Sequence, residues 1–515
     1  MRRIKCMWFA GWLVAAVPLG CVGAEVSPEA AEASLRQATE YLRSIATEGG
    51  YLWAYSADLK ERWGEGKATA TQIWVQPPGT PAVGEVFLRA WAATKDRRYL
   101  EAAEAAALAL ARGQLDSGGW AYLIDFAPEA RRAWAYRLDS SGKPNRSGLR
   151  NTTTFDDDNT QSALRFLLAY LVAAKDHRPG GAFELIRAAA DYGLGKMIEA
   201  QYPNGAWPQR YEGEPPDPAR YPVQAARFPK NWSRTWPKSN YRAFYTFNDH
   251  AQRDCILTLL AAYHQLKDRR FLESARRGGE FIRRAQLPEP QPAWAQQYNF
   301  AMEPDWARAF EPPAISAAES GGILRTLAEL YLETGDAGLL QPIPAALAWY
   351  RRSQIGPDRW ARFYELETNT PIYGDRDGKI HYRLSEISAE RRTGYAWEGS
   401  FGIPQTIQYV ETVLRKAAAN PDAGGQGQKP ARRAAPSPQD HAEAKASAPS
   451  GGGRRPESDA AIGPLLAAQE ASGRWLTNGR VEMRTFIRNI NVLCDYLEYH
   501  KTAPGPAGRG GQGGG

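Results

Sequence analysis

Cysteine is scarce in this sequence, and long apolar runs are nearly absent. Only four of the 515 residues are cysteines, and two of them, Cys6 and Cys21, lie in the first 24 residues. The remaining two, Cys255 and Cys494, are too few for a disulfide-rich scaffold and are compatible with one disulfide or with two buried thiols. Beyond residue 24 there is no run of about 18 uncharged apolar residues, so we expect no membrane span there.

The first 24 residues have the composition of a signal peptide. Three basic residues precede an apolar run at 7–19, and small residues at 22–24 precede the acidic Glu25. We therefore expect an exported protein, secreted or periplasmic. The tetrapeptide that ends at Cys21 loosely resembles a lipoprotein box, but its Pro18 suits that motif poorly. Lipid anchoring at Cys21 is the weaker alternative.

A strong excess of either charge is also lacking. The chain has 64 basic and 57 acidic residues; without the three basic residues of the signal segment, 61 against 57 leaves a net charge of +4. So weak an excess is not typical of nucleic-acid binding, and we predict no nucleic-acid partner. The 17 tryptophans and 24 tyrosines suit stacking against sugar rings, although a large helical core also uses aromatic residues.

The chain repeats one layout. An apolar-periodic helix, a short turn containing aspartate, a second helix and a loop with tryptophan recur in four segments. These segments are residues 86–120, 163–207, 255–294 and 322–360. Repeated helical hairpins predict an all-α fold, an α/α toroid with long loops and a few short β segments on one face, one of them at 378–384.

Composition divides the sequence further. Residues 25–416 form the predicted toroid, and residues 417–460 are a low-complexity insert rich in Ala, Gly, Pro and Gln. Helical spacing resumes between Arg480 and His500, so 461–503 is interpreted as the segment that closes the same domain. Residues 504–515 are predicted to be a flexible tail.

Three consecutive carboxylates, Asp156, Asp157 and Asp158, stand directly before an apolar helix. One or two of them suit a helix N-terminus as caps. A third like charge needs a compensating cation or arginine cluster, and such oxygen ligands suit Ca²⁺ or Mg²⁺. The pattern recurs at 246–250, with Asp249 at the position of Asp157. We predict that Asp156, Asp157 and Asp249 converge on one ion.

Several further motifs follow in a fixed order between about residue 150 and residue 400. They are Thr-Phe-Asp-Asp-Asp-Asn-Thr-Gln (154–161), Asn-Gly-Ala-Trp-Pro-Gln (204–209), Tyr-Thr-Phe-Asn-Asp-His-Ala (245–251), Trp-Ala-Gln-Gln-Tyr (294–298), Trp-Ala-Arg-Ala-Phe-Glu-Pro-Pro (306–313), Glu-Ser (319–320), Arg-Phe-Tyr-Glu (362–365), Asp-Arg-Asp-Gly (375–378) and Glu-Arg-Arg-Thr-Gly-Tyr-Ala-Trp (390–397). Together they resemble the family 10 pectate lyases, secreted α/α-toroid enzymes that cleave polygalacturonate by Ca²⁺-assisted β-elimination.

The resemblance implies roles for individual residues. Arg308 would be the base that removes the sugar's C5 proton, and Asp156, Asp157 and Asp249 would serve the Ca²⁺. The partner would be an acidic polysaccharide, polygalacturonate, and we expect a monomer. Arg376 and Arg392 would bind substrate carboxylates, with their neighbour Arg391 as a further candidate. Trp207 and Tyr373 are also candidates for substrate binding, and core packing is the alternative for Trp207.

The sequence departs from the family pattern in places that concern substrate preference more than the reaction. Ala206 stands where glycine is expected, Thr370 where a basic residue is usual, and Tyr298 where histidine is expected. A long insertion occupies 212–239. Its Trp232 and Trp236 are predicted to be exposed, with a sugar-stacking or lid role as a hypothesis.

The implied chemistry suits these residue types. β-Elimination places extra negative charge on the uronate, which a divalent cation and guanidinium groups stabilise. An arginine base is unusual because free guanidinium has a pKa of about 12.5 or more. Neighbouring positive charge favours its neutral form, and an alkaline optimum is expected.

Three other functions fit parts of the sequence. A triterpene cyclase is suggested by the spacing of Gln201, Gly205 and Trp207 and by Asp156 and Asp158, although the export signal and the arginine-rich loops oppose it. A glycoside hydrolase acting on uronate-containing oligosaccharides would use two carboxylates. A polysaccharide-binding protein without catalysis would need no base.

Overall fold

Helices dominate the computed structural model, which describes residues 26–140, 148–177, 180–419 and 459–502. The helices are α1 (Pro28–Ile45), α2 (Thr80–Thr94), α3 (Arg97–Arg112), α4 (Pro128–Arg131), α5 (Arg137–Ser140), α6 (Asn159–Ala174), α7 (Gly181–Glu199), α8 (Ala251–Leu266), α9 (Arg269–Ala285), α10 (Ala317–Thr334), α11 (Ile343–Arg352), α12 (Ala389–Gly394), α13 (Ile403–Ala419), α14 (Asp459–Ala467) and α15 (Met483–Thr502).

The turns between paired helices follow one formula. Lys95 and Lys267 end α2 and α8 in the left-handed conformation, with φ of 62° and 60°. The next residue, Asp96 or Asp268, caps the following helix through its side chain. A left-handed C-cap followed by an N-capping aspartate reverses the chain within two residues. The short aspartate-containing turns predicted within the segments 86–120 and 255–294 are confirmed.

One helix of each pair belongs to an inner ring. Helix α15 packs on α2, α2 on α6, α6 on α8, α8 on α10 and α10 on α13. Their partners α1, α3, α7 and α9 pack on the outside of the ring. The fold is therefore an α/α toroid, as predicted, and its apolar core runs continuously between the two layers.

A glutamine and a tryptophan repeat at the end of the outer helices. Trp120, Trp207, Trp294, Trp360 and Trp475 are buried, and each donates its indole N–H to a carbonyl of the preceding outer helix at 2.8–3.0 Å. The amide of Gln201 donates to the carbonyl of Ser274 in the next outer helix, and that of Gln469 donates to Ser34 in α1. The Gln/Trp pattern behind the cyclase interpretation is thus an architectural joint between units.

Short strands link the loops between the hairpins. They are β1 (Ala54–Ser56), β2 (Arg62–Trp63), β3 (Gln72–Trp74), β4 (Leu123–Asp125), β5 (Thr153–Thr154), β6 (Arg210–Tyr211), β7 (Tyr245–Thr246), β8 (Gln297–Tyr298), β9 (Ala314–Ser316), β10 (Trp360–Ala361), β11 (Phe363–Glu365), β12 (Pro371–Gly374), β13 (Ile380–His381), β14 (Glu398–Gly399) and β15 (Arg480–Glu482). The largest sheet has the order β13-β12-β11-β9 and covers a second apolar cluster that includes Phe310, Phe363 and Trp397. Strand β13 confirms the β segment predicted at 378–384.

Cys255 and Cys494 are buried free thiols, so the disulfide alternative is not realised. Helix α13 continues to Ala419 and α14 begins at Asp459. The signal segment with Cys21, residues 420–458 of the predicted insert and the tail at 504–515 lie outside the described residues. Among the described helices, none is long and apolar enough to cross a membrane.

Candidate active site

Two equivalent turns carry the predicted carboxylates. The 3₁₀ turns at Asp156–Asp158 and Asn248–His250 follow β5 and β7 and lead directly into α6 and α8. Asp157 and Asp249 occupy the same position in the two turns, and both are left-handed, with φ of 50° and 46°. Left-handed backbone is strained for residues other than glycine and is concentrated at functional sites. The repeat seen in the sequence therefore presents two aspartates in one unusual conformation.

The turns bring three carboxylates together. Each of Asp156, Asp157 and Asp249 offers a carboxylate oxygen, and these three oxygens lie within 4.8 Å of one another. Because Ca²⁺ binds oxygens at about 2.3–2.6 Å, oxygens on opposite sides of one ion stand up to about 5 Å apart. The three donors therefore fit a single hard cation, with further ligands left to water or substrate.

Neutral donors surround this carboxylate cluster. Tyr122 donates its hydroxyl to Asp156 Oδ2 at 2.9 Å, and the Asn248 amide donates to Asp249 Oδ2 at 2.6 Å. Burial raises the pKa of Asp156, and burial together with the charges of Asp157 and Asp156 raises the pKa of Asp249 well above its ordinary value. Like charges held this close do not all ionise without a positive partner.

Arg308 lies beside the cluster on the loop between β8 and β9. Its Nε donates to Glu311 Oε2 at 2.7 Å, and a second bond joins its Nη2 to Oε1. Burial alone favours neutral guanidine, but the hydrogen bonds and charge of Glu311, with the charge of Asp249, outweigh burial and raise the pKa of Arg308. In this state Arg308 is a cation, with its side chain 42 % exposed.

Three guanidinium groups surround one phenyl ring. The Cζ atoms of Arg308, Arg391 and Arg376 lie 4.9, 4.7 and 5.7 Å from the centroid of the Phe310 ring. The aromatic face attracts each cation and so offsets part of their mutual repulsion. Glu390 binds two of them, since Arg391 Nε donates to it at 2.8 Å and Arg376 Nε at 3.0 Å. The result is a basic cluster next to the acidic one.

The model of the pectic acid lyase family matches residues 114–359 and 354–405, more than half of the chain.

The chain belongs to the pectic acid lyase family.

Solved structures of similar shape are more distant. The family 10 polysaccharide lyase from Cellvibrio cellulosa is 23 % identical, with a TM-score of 0.44 over 65 % of this chain and 97 % of that one. A mutant of that lyase in complex with trigalacturonic acid gives the same identity and score. Cellobiose 2-epimerase from Bacillus thermoamylovorans is 12 % identical, with a TM-score of 0.40 over 92 % of this chain and 98 % of that one. A comparison with curated proteins finds no significant match.

The pectic acid lyase match spans every residue proposed for the site, but the structure does not bring all of them together. Trp207 is completely buried, so its ring offers no face to a sugar and we leave it out of the proposed site. Tyr373 is buried as well and donates its hydroxyl to Glu398. Of the two neighbours in α12, Arg391 packs on Phe310, whereas Arg392 is exposed and binds the Ser385 carbonyl.

Sequence reasoning missed several residues of this candidate site. Arg362 was part of a quoted motif but received no role. It donates to the Ala396 carbonyl at 2.8 Å and binds Glu319 at 3.3 Å, and the charge of Asp249 helps to raise its pKa. Asn248 could have been found, because it occupies the position of Asp156 in the repeated turn. Tyr122 follows the repeated Trp120 by two residues, a spacing that carries no chemical signal by itself.

The protonation of Asp249 predicts how a cation binds. Since only the ionised carboxylate is a ligand, the raised pKa of Asp249 makes Ca²⁺ compete with a proton for this group. We expect Ca²⁺ affinity to increase as the pH rises above the range in which an ordinary aspartate titrates, by up to about tenfold per pH unit for one proton released. Calorimetric titrations in two buffers of different ionisation enthalpy measure that release. Affinity independent of pH, without proton release, would contradict the prediction.

Proposed function

We propose that the protein is a pectate lyase that cleaves polygalacturonate, an α-1,4-linked galacturonan, by Ca²⁺-assisted β-elimination. The observation that carries the proposal is the meeting of two clusters of opposite charge. Carboxylates from two repeated turns converge within 4.8 Å, and Arg308, whose pKa responds to the charge of Asp249, lies beside them. Such a site suits a uronate polymer, because a cation and guanidinium groups can both bind its carboxylates.

Asp156, Asp157 and Asp249 would hold the cation. The cation would neutralise the uronate carboxylate and stabilise the negative charge that develops on it during elimination. Tyr122 and Asn248 orient the carboxylates by hydrogen bonds and occupy part of their accepting capacity. One carboxylate oxygen of each aspartate still lies within 4.8 Å of the other two.

The basic cluster would bind the sugar carboxylates. Arg376 is 64 % exposed at its side chain, and Arg391 lies beneath it against Phe310. Both arginines form hydrogen bonds with Glu390, and together they lower the pKa of Glu390 to about 2. Glu390 therefore stays ionised and aligns the two guanidinium groups. Guanidinium groups aligned in this way suit planar carboxylates of a substrate. We also propose Arg392 as an outer contact, since it is exposed on the same helix.

Arg308 is proposed as the base that accepts the C5 proton on a guanidine nitrogen. Glu311 opposes this role, because the ion pair raises the pKa of Arg308. Positive charge brought into the carboxylate cluster acts in the opposite direction and favours the neutral guanidine. Arg308 therefore loses its proton more readily when a cation occupies the carboxylate cluster. Because its pKa is nevertheless high, we expect activity to be greatest at alkaline pH.

The substrate is a plant-type acidic polysaccharide that does not enter cells intact, so the proposed activity fits a secreted or periplasmic enzyme with a cleaved signal peptide. We propose that it acts as a monomer, because both charged clusters are built from one chain.

The deciding experiment follows ultraviolet absorbance of polygalacturonate at alkaline pH with Ca²⁺ and with EDTA. Elimination creates a conjugated, absorbing double bond, and the absorbance should rise only with Ca²⁺. New reducing ends without absorbance would identify the hydrolase alternative. Binding without any turnover would identify a non-catalytic polysaccharide-binding protein. Turnover that survives EDTA would exclude the proposed cation role.

A further inference from the structure

The insertion at 212–239 reaches both arginine-bearing loops through one short segment, residues 232–236, here called the strap. The indole N–H of Trp236 donates to the carbonyl of Ala307 at 2.9 Å, directly before Arg308. The backbone N–H of the same Trp236 donates to the carbonyl of Gly378 at 2.8 Å, two residues after Arg376. A single residue therefore bonds to the two loops that carry the proposed base and a substrate-binding arginine.

Neighbouring contacts strengthen both attachments. Trp306 donates its indole N–H to the Ser233 carbonyl at 2.8 Å, so the strap and the Arg308 loop exchange bonds in both directions. Thr235 pairs with Lys379 as an antiparallel bridge. Gly378 has a φ of +72°, and a Cβ there would lie 3.1 Å from the Cβ of Trp236. Close approach of the two backbones thus depends on glycine at this turn.

Arg234 attaches the strap to strand β11. Arg234 forms an ion pair with Glu365 at 3.2 Å, and its guanidinium group lies 3.5 Å from the centre of the Trp232 ring. Glu365 belongs to β11 and also accepts a bond from the Tyr382 hydroxyl at 2.9 Å. Trp232 and Trp236 are half-buried by these contacts, so the prediction that they are exposed is wrong.

We infer that the strap is a positioning element that holds the Arg308 loop and the Arg376 loop in one fixed relation. The inference rests on the proposed function and adds a role for the insertion. Arg308 and Arg376 share the Phe310 ring, but that attraction does not fix an angle or a distance. The two hydrogen bonds of Trp236 fix both, since they link the backbone carbonyls of the two loops through one residue. Small displacements of a reacting group lower the rate strongly, so the strap acts through Arg308 without touching substrate.

Trp236→Phe tests the indole bond alone. Phenylalanine keeps a ring against Gly378 and keeps the backbone bond, but it removes the bond to Ala307. We expect kcat to fall by roughly 10- to 100-fold, with KM changed less than about threefold. Trp236→Ala also loses the ring beside Gly378, so KM should rise as well. Trp134→Phe is the matched control, because Trp134 is half-buried against Tyr136 and Arg150 on another loop.

Rates are normalised to the fraction of protein that binds Ca²⁺, which separates loss of fold from loss of position. A decrease in kcat that vanishes after normalisation, or equals that of Trp134→Phe, overturns the inference. If Trp236→Ala does not fold, Trp236→Phe decides.

Amide exchange tests the same coupling without activity. The amides of Ala307, Glu311 and Gly378 are hydrogen-bonded within their own loops. In Trp236→Ala their exchange should accelerate in both loops together, while the amides of α6 and α8 keep their rates. Unchanged exchange in either loop contradicts the coupling. If the wild-type protein forms no unsaturated product, the proposed function fails, and exchange alone decides on the strap.

Discussion

Arg308→Ala is expected to lower kcat on polygalacturonate by about 10³-fold or more, while Ca²⁺ binding is retained. The expected size combines a lost proton acceptor and a lost cation beside the developing charge, each of which typically contributes a factor of about 10² to 10³. Steady-state kinetics by ultraviolet absorbance measure the loss, and calorimetry checks the Ca²⁺ site. Activity within about tenfold of wild type would remove Arg308 from the mechanism.

Glu311→Gln separates the two roles of Arg308. The carboxylate of Glu311 raises the pKa of Arg308, so its removal should lower that pKa. A base works only when deprotonated; the rising limb of the kcat–pH profile should therefore move to lower pH in the variant. If Arg308 acts only as a cation, that limb stays where it is. Glu311 is almost completely buried, and circular dichroism must first show that the variant folds.

Asp157→Asn and Asp249→Asn are expected to weaken Ca²⁺ binding and so to lower turnover strongly at a given Ca²⁺ concentration. Each change removes one charged ligand from a cluster of three. Because Ca²⁺ affinity depends steeply on the number of charged oxygens, each variant is expected to bind Ca²⁺ roughly 10- to 100-fold or more weakly. Calorimetric titration and kinetics at increasing Ca²⁺ measure the effect. Asp249→Asn should also raise the melting temperature of the Ca²⁺-free protein, by roughly 1–3 °C, because asparagine avoids the cost of holding a third buried carboxyl group beside Asp156 and Asp157.

Asp158→Asn is the control that the structure supplies for both variants. Asp158 follows Asp157 directly, but its carboxylate binds Arg165 at 2.5 Å instead of joining the cluster. The control should lower stability and leave Ca²⁺ affinity close to that of the wild-type protein. Equal losses of affinity in Asp157→Asn and Asp158→Asn would show that the turn responds to any lost charge, and the proposed ligand set would be wrong.

Local chemistry explains why the architecture could be predicted from the sequence. Lysine followed by aspartate marks the hairpin turns because the first residue tolerates the left-handed conformation and the second caps a helix. Periodic apolar residues identify the helices between them. The proximity of Asp157 and Asp249 could also be predicted, since equivalent positions in adjacent repeats of a ring lie at the same edge.

The remaining features depend on contacts that sequence spacing does not encode. The sequence left Trp207 open to core packing or to a role as sugar platform, and its indole bond to Met197 makes it part of a repeated buried joint. Arg391 and Arg392 are neighbours in sequence, but helical geometry places one on Phe310 and turns the other outward. The pairing of Arg308 with Glu311 is visible as a three-residue spacing, although its effect on proton affinity appears only once burial is known.

The joint between Gln469 and Ser34 has a consequence for truncated forms of the protein. It ties the last outer helix to the first, so residues far apart in sequence complete one ring, with Phe486, Ile490 and Leu493 of α15 filling space beside α1 and α2. A chain stopped after Ala419 would not lose an accessory module. It would be an incomplete ring whose apolar surface, normally covered by α15, is exposed to water. Such a fragment is expected to self-associate, so loss of its activity would not report on catalysis.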